Sequence, residues 1–461
     1  LNKEINLKDV KFSSKWGFVL AAMGSAVGLG NIWRFTFMAG ENGGGAFILL
    51  YAFFIACFGI PCVMAMIVIG RRGGKSPAGS TESLALAEGK SRNWKALGWL
   101  AILIAFLALS FFSVVAGWIL AYIPKSLMGE FVGISSDGSV QLFKTVQDNV
   151  FGMVFWHAIF MGLTIFIVGR GVERGVEIAV KIMMPALFMI LVALVIYSVI
   201  VGDFSASLNF MFIPNFEKMN DDVVLLALGQ AFFSLSVGGG GIIAYGAYLN
   251  KSASIPRAAL AIAAANVSVD MLAGMAIFPL VFAYSLEPSS GPGLLFEALP
   301  VAFGQMPGGI FVGTLFLFLV LFAALSTSIS MLESVVSRLI EREGASRKKM
   351  ALIAGGAIWV IGLGSVFSNN IWSDFTPLSF ISVFEGATIF RIVDYFVVNN
   401  LILVSAFFIT IFTGWVMSTP STVDELGIGT GMRYRLWQIT MRYFAPIAIL
   451  LISFMTIIGG S

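Results

Sequence analysis

Eleven apolar stretches fill most of this sequence, near 16–38, 44–70, 95–124, 150–169, 176–201, 222–249, 258–285, 309–340, 350–368, 390–417 and 434–458. Each is long enough to cross a hydrocarbon core of about 30 Å. In lipid every backbone N–H and C=O must find its partner inside the protein, so such stretches fold as helices. The chain is 58% hydrophobic and 11% charged, where soluble domains carry about 25% charge. No polar stretch between the spans is long enough to build a soluble core. The expected architecture is therefore an all-α integral membrane bundle, a single transmembrane domain over 1–461.

Lys and Arg set its orientation. With the N-terminus inside, the inner segments hold Lys3, Lys8, Lys11, Lys15, Arg71, Arg72, Lys75, Lys90, Arg92, Lys95, Arg170, Arg174 and Lys181. Lys251, Arg257, Arg338, Arg342, Arg347, Lys348, Lys349, Arg433, Arg435 and Arg442 join them, against Lys125, Lys144, Lys218 and Arg391 outside. This asymmetry predicts a multi-pass protein of the cell's inner (plasma) membrane with a cytoplasmic N-terminus and an odd number of spans. The net charge of +3 then reflects topology, and no nucleic-acid partner is expected. The first fifteen residues are polar and the first apolar span is full length, so no cleavable signal peptide is predicted.

Two spans are interrupted. Met23-Gly-Ser-Ala-Val-Gly-Leu-Gly-Asn31 places three glycines in seven residues within the first span, and glycine weakens a helix interior. Ser234-Leu-Ser-Val-Gly-Gly-Gly-Gly241 interrupts the sixth. Helix breaks at membrane depth are tolerated where the freed carbonyls face protein, water or a ligand. Two such breaks at corresponding places in two halves point to a binding site near the midplane. Spans 1–5 (16–201) and 6–10 (222–417) would form oppositely oriented repeats, with an extra helix at 434–458. Side-chain similarity between the halves is not evident.

Other features carry less. Cys57 and Cys62 lie five apart in one helix and face different ways, so neither a disulfide nor a metal site with His157 is expected. The outer segments 125–149, 202–221, 286–308 and 369–389 are the longest. Segment 202–221 is predicted to hold a short interfacial helix. Segment 286–308, with Pro288, Pro292, Pro300 and Pro307, reads either as an ordered loop near a pathway or as a plain connector. An intramembrane enzyme has no support from the lone His157 and the scattered acids.

Gly24-Ser-Ala-Val-Gly-Leu-Gly-Asn-Ile-Trp-Arg-Phe35, followed by Glu41-Asn-Gly-Gly-Gly-Ala-Phe47, resembles the first-helix signature of the neurotransmitter:sodium symporters. The similarity extends through Gly59-Ile-Pro61, Gly70-Arg71, the Gln230–Ser236 run and Ala323-Ala-Leu-Ser-Thr-Ser328. Eleven spans resemble the bacterial amino-acid branch. The family itself exemplifies inverted repeats, so the resemblance and the repeat argument are not independent. The resemblance implies two sodium ions as cofactors. One would use the Ala26 carbonyl, the side chains of Asn31 and Asn266, Ser234 and the substrate's carboxylate. The other would use the carbonyls of Gly24, Val27 and Ala323 with the hydroxyls of Ser326 and Thr327. Sodium is a hard cation and takes oxygen ligands; ordinary back-bonding within the helix is the alternative role for Ser326 and Thr327.

Asp270 stands four residues after Asn266, on the same helical face, and a carboxylate inside an apolar span is functional by default. By resemblance it replaces the anion of chloride-dependent relatives, so no chloride requirement is expected, and it could take up a proton in the return step. The alternative is an acid satisfied by neighbouring hydroxyls that never titrates. Arg34 would form an outer gate with Asp394, Glu385 being the rival. Tyr248 and Gln230 would support the gates, and Trp16 would either cap the inner side or anchor at the interface. The substrate would be lined by Ala26, Gly28, Ala108, Phe112, Phe233, Ser234, Ser236, Gly239 and Met331. Gly28 stands where monoamine carriers have an acid, which argues for an α-amino acid. Ala108 and Gly239 leave room for a bulky hydrophobic or aromatic one.

Three residues depart from the family pattern. Phe112 replaces a tyrosine whose hydroxyl meets the substrate carboxylate, Met66 replaces a buried glutamate, and Thr36 replaces a proline. The expected function is sodium-coupled symport of a neutral hydrophobic or aromatic amino acid by alternating access, without enzyme chemistry. The expected partners are that amino acid, sodium and the lipid bilayer, with no obligate protein partner. An osmolyte or amine carrier, for which Phe112 is the discriminating residue, and a ligand sensor on a transporter scaffold, for which Met66 and Thr36 speak, are the alternatives.

Overall fold

A computed structural model describes residues 11–284, 293–343 and 346–458. Pro288 and Pro292 of the expected 286–308 segment, and Lys3 and Lys8, lie outside the described residues. The protein is all-helical. Among the described residues the one β pairing is an isolated bridge between Gly44 and Pro214.

The first ten helices run α1 Lys15–Ala26, α2 Leu29–Ile32, α3 Arg34–Glu41, α4 Gly45–Phe54, α5 Ile60–Gly73, α6 Pro77–Ala87, α7 Lys95–Leu127, α8 Ser136–Asp148, α9 Val150–Gly169 and α10 Glu177–Val201. Then come α11 Phe204–Phe212, α12 Asp221–Ser234, α13 Gly240–Ala247, α14 Ile255–Ala283, α15 Leu299–Gln305, α16 Gly309–Glu343, α17 Arg347–Phe367, α18 Ile389–Tyr395, α19 Ile402–Ile411, α20 Thr419–Leu426, α21 Met432–Ile439 and α22 Ala445–Ile458. Caps start many of them. Ser14, Ser76, Ser135, Asn149, Asp203 and Asn220 each accept a backbone N–H from the first turn, satisfying a donor that the helix itself cannot. The wider π turn at Ile55–Gly59 joins α4 to α5 without ending the span.

Among the described residues, nine helical stretches are long and apolar enough to cross a membrane, and α1 with α2–α3 forms a tenth that bends by 59°. The stretch expected at 222–249 is two helices, α12 and α13, separated at 235–239 and individually too short for that test. The short helix expected in 202–221 is α11. Within segment 286–308 the described residues form a π turn at Leu294–Ala298 and α15, followed by a turn at 306–308. The polar connection after α5 likewise carries α6.

Burial sorts the spans into centre and periphery. The most apolar windows of the spans holding α7 and α16 are each 72% buried, against 28% for α9 and 33% for the span holding α10. Phe151, Phe155, Met189 and Ile200 project outward and are more than half exposed. Large apolar side chains on the outside of a helical bundle are costly in water and favourable in lipid. The broken helices, α7 and α16 thus lie inside, where a site can be shielded.

Candidate transport site

The first break is two residues long. Val27 and Gly28 are extended, with φ/ψ of −76°/97° and −124°/−168°. None of Gly24, Gly28 and Gly30 has a positive φ, so these glycines are not needed for a left-handed backbone. Close approach explains them. A Cβ on Gly24 would lie 2.9 Å from the Ser326 Cβ, one on Gly28 2.7 Å from the Thr327 hydroxyl, and one on Gly30 2.6 Å from the Phe233 ring. The second break does need unusual backbone: Ser236 has φ +50° and Gly238 has φ +97°, a region that favours glycine. Gly238 also abuts α19, its absent Cβ lying 2.4 Å from the Ile402 carbonyl.

Hydroxyls of the second break and of neighbouring helices satisfy carbonyls at the breaks. The Ser236 hydroxyl donates to the Ser25 carbonyl at 3.1 Å, the Thr327 hydroxyl to the Gly24 carbonyl at 3.3 Å, and the Ser405 hydroxyl to the Gly238 carbonyl at 2.7 Å. Backbone freed at membrane depth is thus met by hydroxyls of neighbouring helices. Ser326 instead donates within its own helix, to the Ala323 carbonyl at 3.0 Å. Gly24, Ala323, Ser326 and Thr327 therefore converge where α1 ends against α16, while Thr327 alone of the two hydroxyls reaches across.

Beside the first break sits a buried polar cluster. The Asn31 amide donates to Ser234 Oγ at 3.0 Å, Asn266 Oδ1 at 2.9 Å and Asp270 Oδ1 at 2.8 Å. Its Oδ1 accepts the Gly28 N–H at 2.9 Å and so pins the break. Asn266 Nδ2 donates to Ser234 Oγ at 2.6 Å and to Asp270 Oδ2 at 3.2 Å, while Tyr51 donates to Asp270 Oδ2 at 2.5 Å. Asp270 is fully buried and meets neutral donors from α2, α4 and its own helix. Tyr51 escaped the sequence reading; a lone hydroxyl inside the apolar run of α4 was the available signal. The oxygens of Asn31, Asn266 and Ser234 are of the kind a hard cation takes. Among the described residues no group of three or more His, Cys, Asp or Glu could hold a metal.

A cavity of about 430 Å³ opens beside both breaks. All nine residues expected around a substrate line it: Ala26, Gly28, Ala108, Phe112, Phe233, Ser234, Ser236, Gly239 and Met331. Asn31, Thr327, Arg34 and Asp394 line it too, whereas Gly24, Val27, Asn266, Asp270, Ala323 and Ser326 are not among its lining residues. Sequence reasoning missed other lining residues, among them Ser25, Ser330, Phe111, Phe390 and Val397. Ser25 lies in the last turn of α1, just before the first break, but Phe390 and Val397 come from α18 and the turn after it, where no pattern marked them.

At one end, the Arg34 guanidinium lies 4.3 Å from the centre of the Phe233 ring, a cation–π contact. Arg34 and Asp394 are near enough for their charges to interact, yet no ion pair joins them among the described residues. The rival acid Glu385 is exposed and does not line the cavity.

The other end is shut. Phe12 packs among Phe18, Tyr245 and Tyr248. The Ser13 backbone and hydroxyl both donate to Glu177, at 2.7 and 2.6 Å. Tyr248 donates to Glu333 at 2.6 Å, and Glu333 also pairs with Arg347. Tyr248 thus belongs to a closing network, whereas Trp16 is 71% exposed and caps nothing; Phe12 fills that place. Gln230 is buried, and neither of its amide atoms has a hydrogen-bond partner among the described residues. Of the three departures, Phe112 lines the cavity, Met66 is wholly buried, and the Thr36 hydroxyl donates to the carbonyls of Ile32 and Trp33, each at 2.8 Å.

Two discontinuous helices crossing inside a membrane bundle, with a shielded cavity and oxygen-rich pockets between them, define a secondary transporter. The sequence matches the Sodium:neurotransmitter symporter family over residues 10–136 and 136–460, and the chain belongs to that family. It is a multi-pass, sodium-dependent membrane transporter. It is 36% identical to an uncharacterized sodium-dependent transporter, YhdH, of Bacillus subtilis (strain 168), the match covering 98% of each chain. A second uncharacterized sodium-dependent transporter, from Haemophilus influenzae, is 31% identical over 97% of this chain and 98% of its own. The fold superposes on the crystal structure of MhsT in complex with L-phenylalanine with a TM-score of 0.87, at 40% identity over 97% of this chain and 99% of that one.

Proposed function

We propose that the protein carries a neutral hydrophobic or aromatic L-amino acid inward with sodium, by alternating access and without chloride. The observation that carries this reading is the cavity between the two breaks. Aromatic and aliphatic side chains dominate its wall, with Ser25, Asn31, Ser234, Ser236 and Thr327 among them. Leu29 and Gly30, the first residues of α2, line it, and the first amides of a helix lack internal acceptors. A substrate carboxylate docked there needs no hydroxyl from Phe112. Gly28 leaves no acid to bind an isolated amine, which favours a substrate that brings its own carboxylate.

Sodium is then a co-substrate with two places to sit. The first is formed by the Ala26 carbonyl, Asn31, Ser234, Asn266 and the substrate's carboxylate; the second by the carbonyls of Gly24, Val27 and Ala323 with Ser326 and Thr327. Asp270 supplies the negative charge that removes any need for chloride. The closed end at Phe12, Glu333 and Arg347 is the cytoplasmic one in this reading, and Arg34 with Asp394 stands at the outer mouth. The first and sixth spans and their partners rock against a scaffold formed by the other spans, around the fixed site, in the plasma membrane. MhsT's complex with L-phenylalanine supports an aromatic substrate.

The test is uptake of labelled amino acids into proteoliposomes, with an inward sodium gradient and with chloride replaced by gluconate. Sodium-driven accumulation of a hydrophobic or aromatic amino acid, unchanged in gluconate, is expected. No sodium-driven uptake of any amino acid would overturn the reading.

A further inference from the structure

The cavity lining includes a pair of serines whose protons are already committed. Ser25 Oγ donates to Ser330 Oγ at 2.9 Å, and Ser330 Oγ donates to the Thr327 carbonyl at 2.8 Å. Ser236, at the second break, spends its proton on the Ser25 carbonyl at 3.1 Å. A hydroxyl has one proton and two lone pairs. With these protons directed at protein acceptors, Ser25 Oγ keeps both lone pairs and Ser330 Oγ keeps one. Both residues line the cavity and both are 98% buried. Gly241 leaves them uncovered: a Cβ there would lie 2.8 Å from Ser25 Oγ and 2.9 Å from Ser330 Oγ. The apolar side chains of Ile104, Ala105 and Met331 line the same cavity.

We infer that the Ser25–Ser330 pair is an acceptor-only subsite that reads an N–H or O–H at the tip of an aromatic substrate side chain, favouring indole or phenol rings over phenyl. The inference rests on the amino-acid transport reading above and deepens it. An indole N–H reaching this pair replaces the water bond it gives up, whereas a ring bearing only lone pairs there faces oxygens that cannot donate. A site that bonds a substrate's polar hydrogen discriminates against the isostere lacking it.

The test compares sodium-dependent binding of three probes to the purified full-length protein: L-tryptophan, β-(3-benzothienyl)alanine, in which sulfur replaces the indole N–H, and L-phenylalanine. Tryptophan is expected to bind about tenfold more tightly than its sulfur isostere, the equivalent of roughly one hydrogen bond. Ser25→Ala should bring that ratio to about one. A second variant keeps the inference exposed should Ser25→Ala not fold. Ser330→Ala removes the acceptor of the Ser25 proton, which can then turn into the cavity, so 4-pyridylalanine should gain severalfold over wild type. Equal binding of tryptophan and its isostere by the wild type, with phenylalanine still bound, overturns this inference alone. Loss of sodium-dependent binding for all three probes overturns the transport reading as well.

Discussion

At the scale of single residues, Asp270 carries the most chemistry. Its two oxygens gather Asn31, Asn266 and Tyr51, all donating. Replacing it with Ser keeps the space and removes the charge, leaving buried donors short of an acceptor at about 1–3 kcal/mol. Asp270→Ser is therefore expected to weaken sodium-dependent substrate binding in gluconate and to recover part of the loss in chloride, which can occupy the vacated acceptor position. Binding measured in the two salts reads this directly; a variant indifferent to chloride means that the carboxylate does not stand in for an anion. Tyr51→Phe removes one bond to a charged group, worth about 1.5–3 kcal/mol, and should weaken sodium-dependent binding whichever anion is present.

At the scale of elements, the junction between α2 and α3 shows how a missing proline is accommodated. Thr36 is the third residue of α3, and its hydroxyl bonds back to Ile32 and Trp33. Proline is tolerated in a helix's first turn, where its missing N–H has no internal acceptor. Thr36→Pro loses hydroxyl bonds worth about 0.5–1.5 kcal/mol and gains about 0.4–1 kcal/mol by restricting the unfolded chain. The melting temperature in detergent should stay close to wild type; a large drop would mean that the hydroxyl holds the junction. The closed end makes a different prediction. Glu333 is fully buried between Tyr248 and Arg347, and removing one partner of a buried pair costs about 3–5 kcal/mol. Arg347→Ala should loosen this end, seen as faster hydrogen exchange in residues 11–18 and at the end of α13, while α8 and α15 are unchanged.

Much of this was legible in the sequence because membrane chemistry leaves few options. Long apolar runs must be helices, and Gly24, Gly28, Gly30 and the Gly238–Gly241 run marked the breaks. What escaped depends on pairing between distant elements. Ser25 meets Ser330, and Tyr51 meets Asp270, across more than two hundred residues, a relation no local pattern encodes. The role of the glycines was only half legible. The sequence pointed to a weakened helix, whereas the first break owes its glycines to the closeness of Ser326, Thr327 and Phe233. Phe12 was passed over for Trp16 because a tryptophan near a membrane boundary is the stronger pattern, yet packing seats the phenylalanine.

At the scale of the whole molecule, the proposed cycle makes binding of sodium and of substrate two halves of one event. Asn31 links them: its Oδ1 holds the Gly28 amide at the substrate cavity while its Nδ2 holds Ser234 and Asn266. A ligand that orders the first break therefore orders the oxygens of the ion site, and the substrate carboxylate adds a ligand to that ion. Linkage requires the effect to be mutual: whatever factor sodium contributes to substrate affinity, substrate contributes to sodium affinity. A coupling of about 1–3 kcal/mol, roughly 5–150-fold, is the usual range. Titrating L-phenylalanine at several sodium concentrations, then sodium at several phenylalanine concentrations, should return the same factor from both directions. Asn31→Ala should shrink both factors together, because it removes the side chain through which the two sites touch. Sodium that leaves phenylalanine affinity unchanged would rule out a shared carboxylate, and with it the mechanism by which the gradient does work on the substrate.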